Sequence, residues 1–102
     1  MIVASTFSET SRTVPPAATK LPASVNLPYA GYFPASFETL PTLSFVIPNQ
    51  LDDMHDGTVA QGDAWLQANL GSYASWCGSH NSLLLVTFDE DNGSAGNRVA
   101  TI

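Results

Sequence analysis

Apolar residues in this chain are concentrated in two short stretches and in one longer stretch between them. Leu43, Phe45 and Ile47 recur at every second position of residues 42–48, and the β-branched content is high, which predicts a strand that ends at a proline. Residues 82–88 hold an unbroken apolar run, the pattern of a strand covered on both faces. Both stretches run directly into polar and acidic residues.

The stretch between them has the period of a helix. Leu66, Leu70, Tyr73 and Cys77 follow the spacing i, i+4, i+7, i+11, which puts them on one helical face. We predict this helix over residues 59–77. Strand, helix and strand in this order predict a parallel βαβ unit with a right-handed crossover, and therefore an α/β fold.

The order of the elements is expected to bring the acidic residues together. The carboxyl ends of parallel strands lie at one edge of a sheet, where ligands bind in open α/β folds. Each predicted strand is followed by an acidic cluster, and one or two acids of the first cluster are expected to cap the turn or the helix. Six of the nine acidic residues belong to these clusters: Asp52, Asp53, Asp56, Asp89, Glu90 and Asp91.

The remaining segments carry weaker patterns. Residues 1–24 are rich in Ser, Thr, Pro and Ala without a regular period, which predicts an extended or disordered arm. Residues 25–102 are predicted to form the domain. Aromatic residues mixed with prolines over residues 25–41 predict irregular packing, rather than a substrate groove, with one helical turn near 34–39. Residues 99–102 have the pattern of a strand that is just beginning.

Composition narrows the class of partner. Three basic residues stand against nine acidic ones, for a formal net charge of −6, which argues against nucleic acid and anionic membranes. No run approaches the roughly 18–20 apolar residues of a transmembrane segment, and the first residues lack the pattern of a signal peptide. Cys77 is the single cysteine, so a disulfide within the chain is excluded.

Acidic clusters without basic partners leave two interpretations open, a solvated loop and a cation site. Carboxylate oxygens with an imidazole suit a divalent ion such as Mg²⁺, Mn²⁺, Ca²⁺ or Zn²⁺. A calcium-binding EF-hand is excluded, because the glycine after Asp89 is fifth in the series and no acid is twelfth. His55 lies in a polar loop, where it could bind a metal, contact phosphate or donate a proton. Asn92-Gly93-Ser94 has the spacing of an N-glycosylation site.

Four motifs occur in an order that resembles the phosphoesterase family of bacterial acid phosphatases and phospholipase C enzymes. They are LSFVIPN at 43–49, DDMHDG at 52–57, GDAWL at 62–66 and HNSLLLVTFDED at 80–91. The resemblance covers about residues 21–102, and residues 1–20 do not share it.

The resemblance implies an alkaline-phosphatase-like α/β fold and metal-dependent hydrolysis of phosphate esters, with phosphoinositides or phospholipids as candidate substrates. It implies that Asp89 and Glu90 bind the divalent metal ion. His55 matches a histidine that contacts the phosphate or assists the leaving group. Asp53 and Asp56 are implied as further ligands or as support for them.

The chain also departs from the family pattern. The family's Glu-Asn metal-binding motif has no counterpart, and its nucleophile and a further histidine are expected before the first residue and after the last. We therefore expect residues 25–102 to be a partial phosphoesterase domain that is inactive in isolation. The alternative is a small acidic module that binds a divalent cation without catalysis. Relatives of this type are often exported, but the sequence predicts neither a compartment nor an oligomeric state.

Overall fold

The computed structural model describes residues 4–8 and 23–102. Its regular elements are the strands β1 (Ala4–Ser8), β2 (Asn26–Pro28) and β3 (Leu43–Ile47), the helix α1 (Val59–Cys77), and 3₁₀ turns at Ala23–Val25 and Phe37–Thr39. The chain divides into two compact units, Met1–Ala68 and Asn69–Ile102.

The first unit contains a parallel sheet in the order β2-β1-β3. Ser8, the last residue of β1, lies opposite both Pro28 of β2 and Ile47 of β3. The carboxyl ends of the three strands therefore lie at one edge of the sheet, and the segments that follow β2 and β3 both leave from that edge.

The central strand β1 was not predicted. The sequence predicts an arm without a regular period over residues 1–24, whereas Ala4–Ser8 pairs with strands on both sides. These pairings are distant in sequence, and such contacts decide the conformation of a segment whose own propensity is weak. Residues 9–22 of the predicted arm lie outside the described residues.

The predicted helical turn in the aromatic segment and the predicted strand that follows it are both confirmed. β3 lies within the predicted residues 42–48, and the turn at Phe37–Thr39 lies within residues 34–39. β3 has one exposed face and one half-buried face, and the large apolar side chains are on the exposed one: Leu43, Phe45 and Ile47.

The helix α1 has the predicted bounds. Its start is fixed by a capping box in which the Gln61 N–H donates to Thr58 Oγ1 at 3.2 Å and the Thr58 N–H donates to Gln61 Oε1 at 2.8 Å. The predicted apolar face is the covered face, since its residues are all buried or half-buried. Leu70 is the most deeply buried of them, at 6% exposure.

The second unit differs from its prediction over residues 82–88. This segment forms no regular ladder; an isolated antiparallel bridge joins Thr87 to Thr101. Val86 and Ile102 flank the bridge with reciprocal N–H···O bonds of 3.0 and 2.9 Å. Leu83 and Leu85 are 72% and 64% exposed, so the segment is covered on one face only. With a single bridge to hold it, the segment does not become a regular strand.

Parallel strands combined with a helix confirm the α/β class in its coarse form. The parallel pairing of residues 82–88 with β3 and the alkaline-phosphatase-like sheet stay predictions. Among the residues that the structure describes, no helix combines the length and the apolar character needed to cross a membrane.

We expect Leu70→Ala to lower the free energy of unfolding by about 2–5 kcal/mol, because it removes a buried side chain and leaves a cavity. Leu85→Ala is the matched control: the same atoms are lost from a side chain that is 64% exposed, and the change should stay within about 0.5 kcal/mol. Urea unfolding followed by circular dichroism measures both. Equal losses for the two variants would contradict a core centred on Leu70.

Candidate functional site

The loop that follows β3 is organised by the side chain of Asn49. Its Oδ1 accepts hydrogen bonds from the N–H groups of Leu51 at 2.9 Å and Asp52 at 3.1 Å, and its Nδ2 donates to Asp52 Oδ2 at 2.8 Å. The Asn49 carbonyl also accepts from the Asp53 N–H at 2.8 Å. An Asx residue two positions after the end of β3 thus satisfies the backbone of a tight turn.

Two glycines allow the rest of this loop to close against itself and against α1. A Cβ atom at Gly57 would lie 1.8 Å from the carbonyl oxygen of Leu51, so a side chain is excluded there. A Cβ atom at Gly62 would lie 2.7 Å from Cγ of Met54, whose backbone has a φ of 74°. A left-handed conformation is uncommon for a residue other than glycine and persists only where the surroundings enforce it.

His55 is presented by this fixed loop. Its Nδ1 lies 2.9 Å from Asp56 Oδ1, and its backbone N–H donates to Asp53 Oδ1 at 2.8 Å. The His55 and Asp56 side chains are 61% and 57% exposed. When Nδ1 carries a proton, Asp56 Oδ1 accepts a hydrogen bond from it, which holds the imidazole in one tautomer and orientation.

The structure therefore gives the first acidic cluster defined local roles. Asp52 bonds to Asn49, Asp53 accepts the His55 backbone N–H, and Asp56 contacts the imidazole. The expectation that one or two of these acids cap a turn is confirmed. The roles of Asp53 and Asp56 toward a metal ion stay predictions.

Aromatic side chains occupy the segment that follows β2, at the same edge of the sheet. Tyr29 stacks on Phe33 with a centroid distance of 5.0 Å and contacts Trp65 of α1 at 5.7 Å. Phe33 also contacts Phe37 at 6.4 Å. These rings pack on one another and on the helix that carries Gly62, which agrees with the predicted packing role.

In the second unit, the three acids after residue 88 have two different environments. Asp89 and Glu90 are exposed. Asp91 accepts backbone N–H groups from Gly93 at 2.7 Å and from Ala95 and Asn97 at 2.8 Å each. The bonds from Gly93 and Asn97 in particular hold the pKa of Asp91 below its ordinary value. Asp91 thus organises a loop, while Asp89 and Glu90 stay available.

These carboxylates have the right chemistry for a hard divalent ion, although each cluster is sparse. Among the described residues, no group of three or more His, Cys, Asp or Glu side chains is arranged to hold a metal ion. Asp89 and Glu90 fit as a partial ligand set of oxygens. The predicted approach of the two acidic clusters to one another stays a prediction.

The residues that hold His55 in place were not singled out by the sequence. Asn49 acts through side-chain hydrogen bonds, and Gly57 and Gly62 act through close backbone approach; hydrophobic periodicity reveals neither. Two local signals were present: an Asn directly after a strand, and the Thr58-x-x-Gln61 pattern of a capping box.

Two comparisons with known proteins match this sequence. The model of the phosphoesterase family matches residues 4–95, which extends the resemblance to β1 and corrects its expected start near residue 21. A protein of Mycobacterium tuberculosis named phosphatidylinositol-3-phosphatase is 49% identical over 83 residues. That match covers 80% of this chain and 28% of the relative, so the chain spans under a third of the relative's length. No solved structure matches.

We expect Gly57→Ala to destabilise the first unit by about 1–3 kcal/mol, because the new methyl group would overlap a backbone oxygen that no side-chain rotation can move. Gly78→Ala is the matched control, since a Cβ atom there would lie 3.4 Å from the Ser75 carbonyl oxygen. Urea unfolding gives the two stabilities, and nuclear magnetic resonance (NMR) gives the His55 ring shifts. A Gly57→Ala variant with unchanged stability and unchanged His55 shifts would contradict the described loop.

Proposed function

The chain belongs to the phosphoesterase family, and on that premise we propose that it forms part of a phosphoric ester hydrolase that uses a divalent metal ion. The observation that carries this proposal is the exposed His55–Asp56 pair, with Nδ1 and Oδ1 2.9 Å apart on a loop held by Asn49 and Gly57. A reactive imidazole needs such a fixed setting, because misplacement by even about 1 Å costs rate.

His55 is proposed to contact the phosphate or to protonate the leaving oxygen. Hydrolysis of a phosphate monoester expels an alkoxide, and an imidazolium that supplies a proton lowers that barrier; such help typically contributes about 10²–10⁴-fold. Asp56 is the positioning residue for the ring. Asp53 supports the arrangement through the backbone N–H of His55.

Asp89 and Glu90 are proposed to hold the divalent ion, with Asp53 and Asp56 as further candidates for ligation or support. Their support is chemical: adjacent, exposed carboxylates directly after an extended apolar segment suit an oxygen-binding cation. The ion, when bound, would polarise a phosphoryl oxygen and neutralise charge that develops in hydrolysis.

The proposed substrate is a phosphate monoester on a phosphoinositide or a related phospholipid. The support is the 49% identity over 83 residues with the phosphatidylinositol-3-phosphatase of Mycobacterium tuberculosis. Because 28% of that protein is covered by the match, we propose further that residues of this chain supply part of the catalytic site. The sparse ligand groups among the described residues support the same proposal.

The role of His55 can be tested with inorganic phosphate and Mg²⁺ on the 102-residue chain. We expect phosphate to shift the His55 ring signals in NMR spectra and Asp56→Asn to reduce that shift. His80 is the internal control, since its ring stacks on Trp76 at 4.1 Å and its Nδ1 lies 2.8 Å from the Trp76 carbonyl oxygen. Equal shifts of both histidines, or none at His55, would remove His55 from the site.

The same samples separate partial from complete function. With p-nitrophenyl phosphate and a divalent ion, we expect no release of nitrophenol above the buffer rate. Release that disappears in His55→Gln would support hydrolysis at this site but overturn the proposal that the site is partial.

Metal binding is tested by calorimetric titration with Mg²⁺, Mn²⁺, Ca²⁺ and Zn²⁺. A site with few ligands should bind weakly, with a Kd of about 10⁻⁴–10⁻³ M, and Asp89→Asn or Glu90→Gln should abolish the binding. Asp63→Asn is the matched control, because it removes the same charge from an exposed position on α1. Equal losses in all three variants would indicate general attraction to an acidic protein.

A further inference from the structure

The loop after Asp89, Glu90 and Asp91 contains a dipeptide that can react with itself. Asn92-Gly93 is the single Asn-Gly pair in the sequence, and both residues are exposed. In such a pair the backbone nitrogen of glycine can attack the preceding side-chain amide, because no β-carbon shields it. In this loop, neighbouring residues form hydrogen bonds to both reacting groups, the Gly93 nitrogen and the Asn92 amide.

The nucleophilic atom, the backbone nitrogen of Gly93, is hydrogen-bonded to a carboxylate. The N–H of Gly93 donates to Asp91 Oδ1 at 2.7 Å, so an acceptor for its proton is already in place. Asp91 is itself held by the N–H groups of Ala95 and Asn97, both at 2.8 Å, which fix the carboxylate relative to the loop. A base within hydrogen-bond reach of the proton it removes satisfies the geometric requirement for general-base catalysis.

The electrophilic group, the side-chain amide of Asn92, is hydrogen-bonded as well. Asn92 Oδ1 accepts from the backbone N–H of Ser94 at 3.1 Å and also from the Ser94 hydroxyl. Two donors on one carbonyl oxygen polarise it and stabilise the negative charge that develops there during attack, which is the principle of an oxyanion hole. Gly93 has a φ of 80°, a conformation that suits glycine and keeps this arrangement compact.

We propose that Asn92 is a site of intramolecular deamidation, assisted by Asp91 and Ser94. The Gly93 nitrogen forms a bond to Asn92 Cγ while its proton passes to Asp91. The tetrahedral intermediate then breaks the Cγ–Nδ2 bond, and the amine leaves as ammonia with that proton. Water opens the resulting succinimide ring to aspartate or isoaspartate, so solvent is the only co-reactant.

The product alters the acidic segment. Aspartate at this position adds one negative charge next to Asp89, Glu90 and Asp91 in a chain whose net charge is already −6. Isoaspartate adds the same charge through its free α-carboxylate, lengthens the backbone by one methylene group and moves the carbonyl that Ser94 contacts into the main chain. Either product accumulates with time, and ion-exchange chromatography detects it by its added negative charge.

The experiment is peptide mapping by mass spectrometry of the 102-residue chain after incubation near neutral pH, with and without concentrated urea. General-base assistance predicts that Asn92 in the folded chain deamidates about 10²-fold faster than in the unfolded chain, the lower end of what such assistance contributes. Asn81-Ser82, a pair in the same unit with an exposed asparagine, is the internal reference, and its rate should not be higher in the folded chain. A folded rate equal to or below the rate in urea would overturn the proposal.

Two variants test the assisting groups. Asp91→Ser keeps an acceptor but removes the base, and Ser94→Ala removes the hydroxyl while keeping the backbone donor. Asp91→Ser should bring the rate at Asn92 close to the rate in urea, and Ser94→Ala, which keeps the base, should lower it part of the way. Asp63→Asn, with the same loss of charge on α1, should keep the wild-type rate. An unchanged rate in either loop variant would overturn the proposed assistance.

Discussion

The described site depends on one carboxamide, that of Asn49. Its side chain accepts two backbone N–H groups and donates to Asp52, which turns the chain sharply as it leaves β3. Buried or crowded backbone groups need such partners, because an unmade hydrogen bond costs more than a made one gains. With the turn fixed, Gly57 can approach the Leu51 carbonyl and return the chain to the capped start of α1. His55 is then oriented by its surroundings before any ligand binds.

The second unit uses the same device with a charged residue. Asp91 accepts hydrogen bonds from three backbone N–H groups of residues 93–97, as Asn49 accepts them from its own loop. This divides the acidic cluster: one carboxylate stabilises the loop, and its neighbours Asp89 and Glu90 face solvent. The number of acids in a cluster therefore overstates the number that can bind a ligand, and hydrogen-bond geometry is needed to separate the two kinds.

How far the sequence predicts this structure follows from the range of the interactions involved. α1 is predicted with its bounds because its apolar period acts locally over several turns. β3 is predicted for the same reason, from alternation ended by a proline. β1 is missed because it pairs with β2 and β3, which are distant in the sequence. The burial of residues 82–88 is overestimated because it depends on neighbouring segments that a local pattern does not identify. In the candidate site, the sequence proposes His55 and the acids, whereas the residues that orient them act through turns, close contacts and a positive φ at Met54.

One feature of the fold governs how this chain behaves among its own copies. β3 lies at an edge of the described sheet, its exposed face carries Leu43, Phe45 and Ile47, and residues 42–48 contain no charged side chain. An uncharged apolar edge strand is a template for pairing with another molecule. The opposing force is the mutual repulsion of chains that each carry a net charge of −6, and salt screens that repulsion over about 10 Å at 0.1 M ionic strength. Colloidal stability in this chain is thus a balance between one strand and the whole molecule's charge, and ionic strength sets which of them prevails.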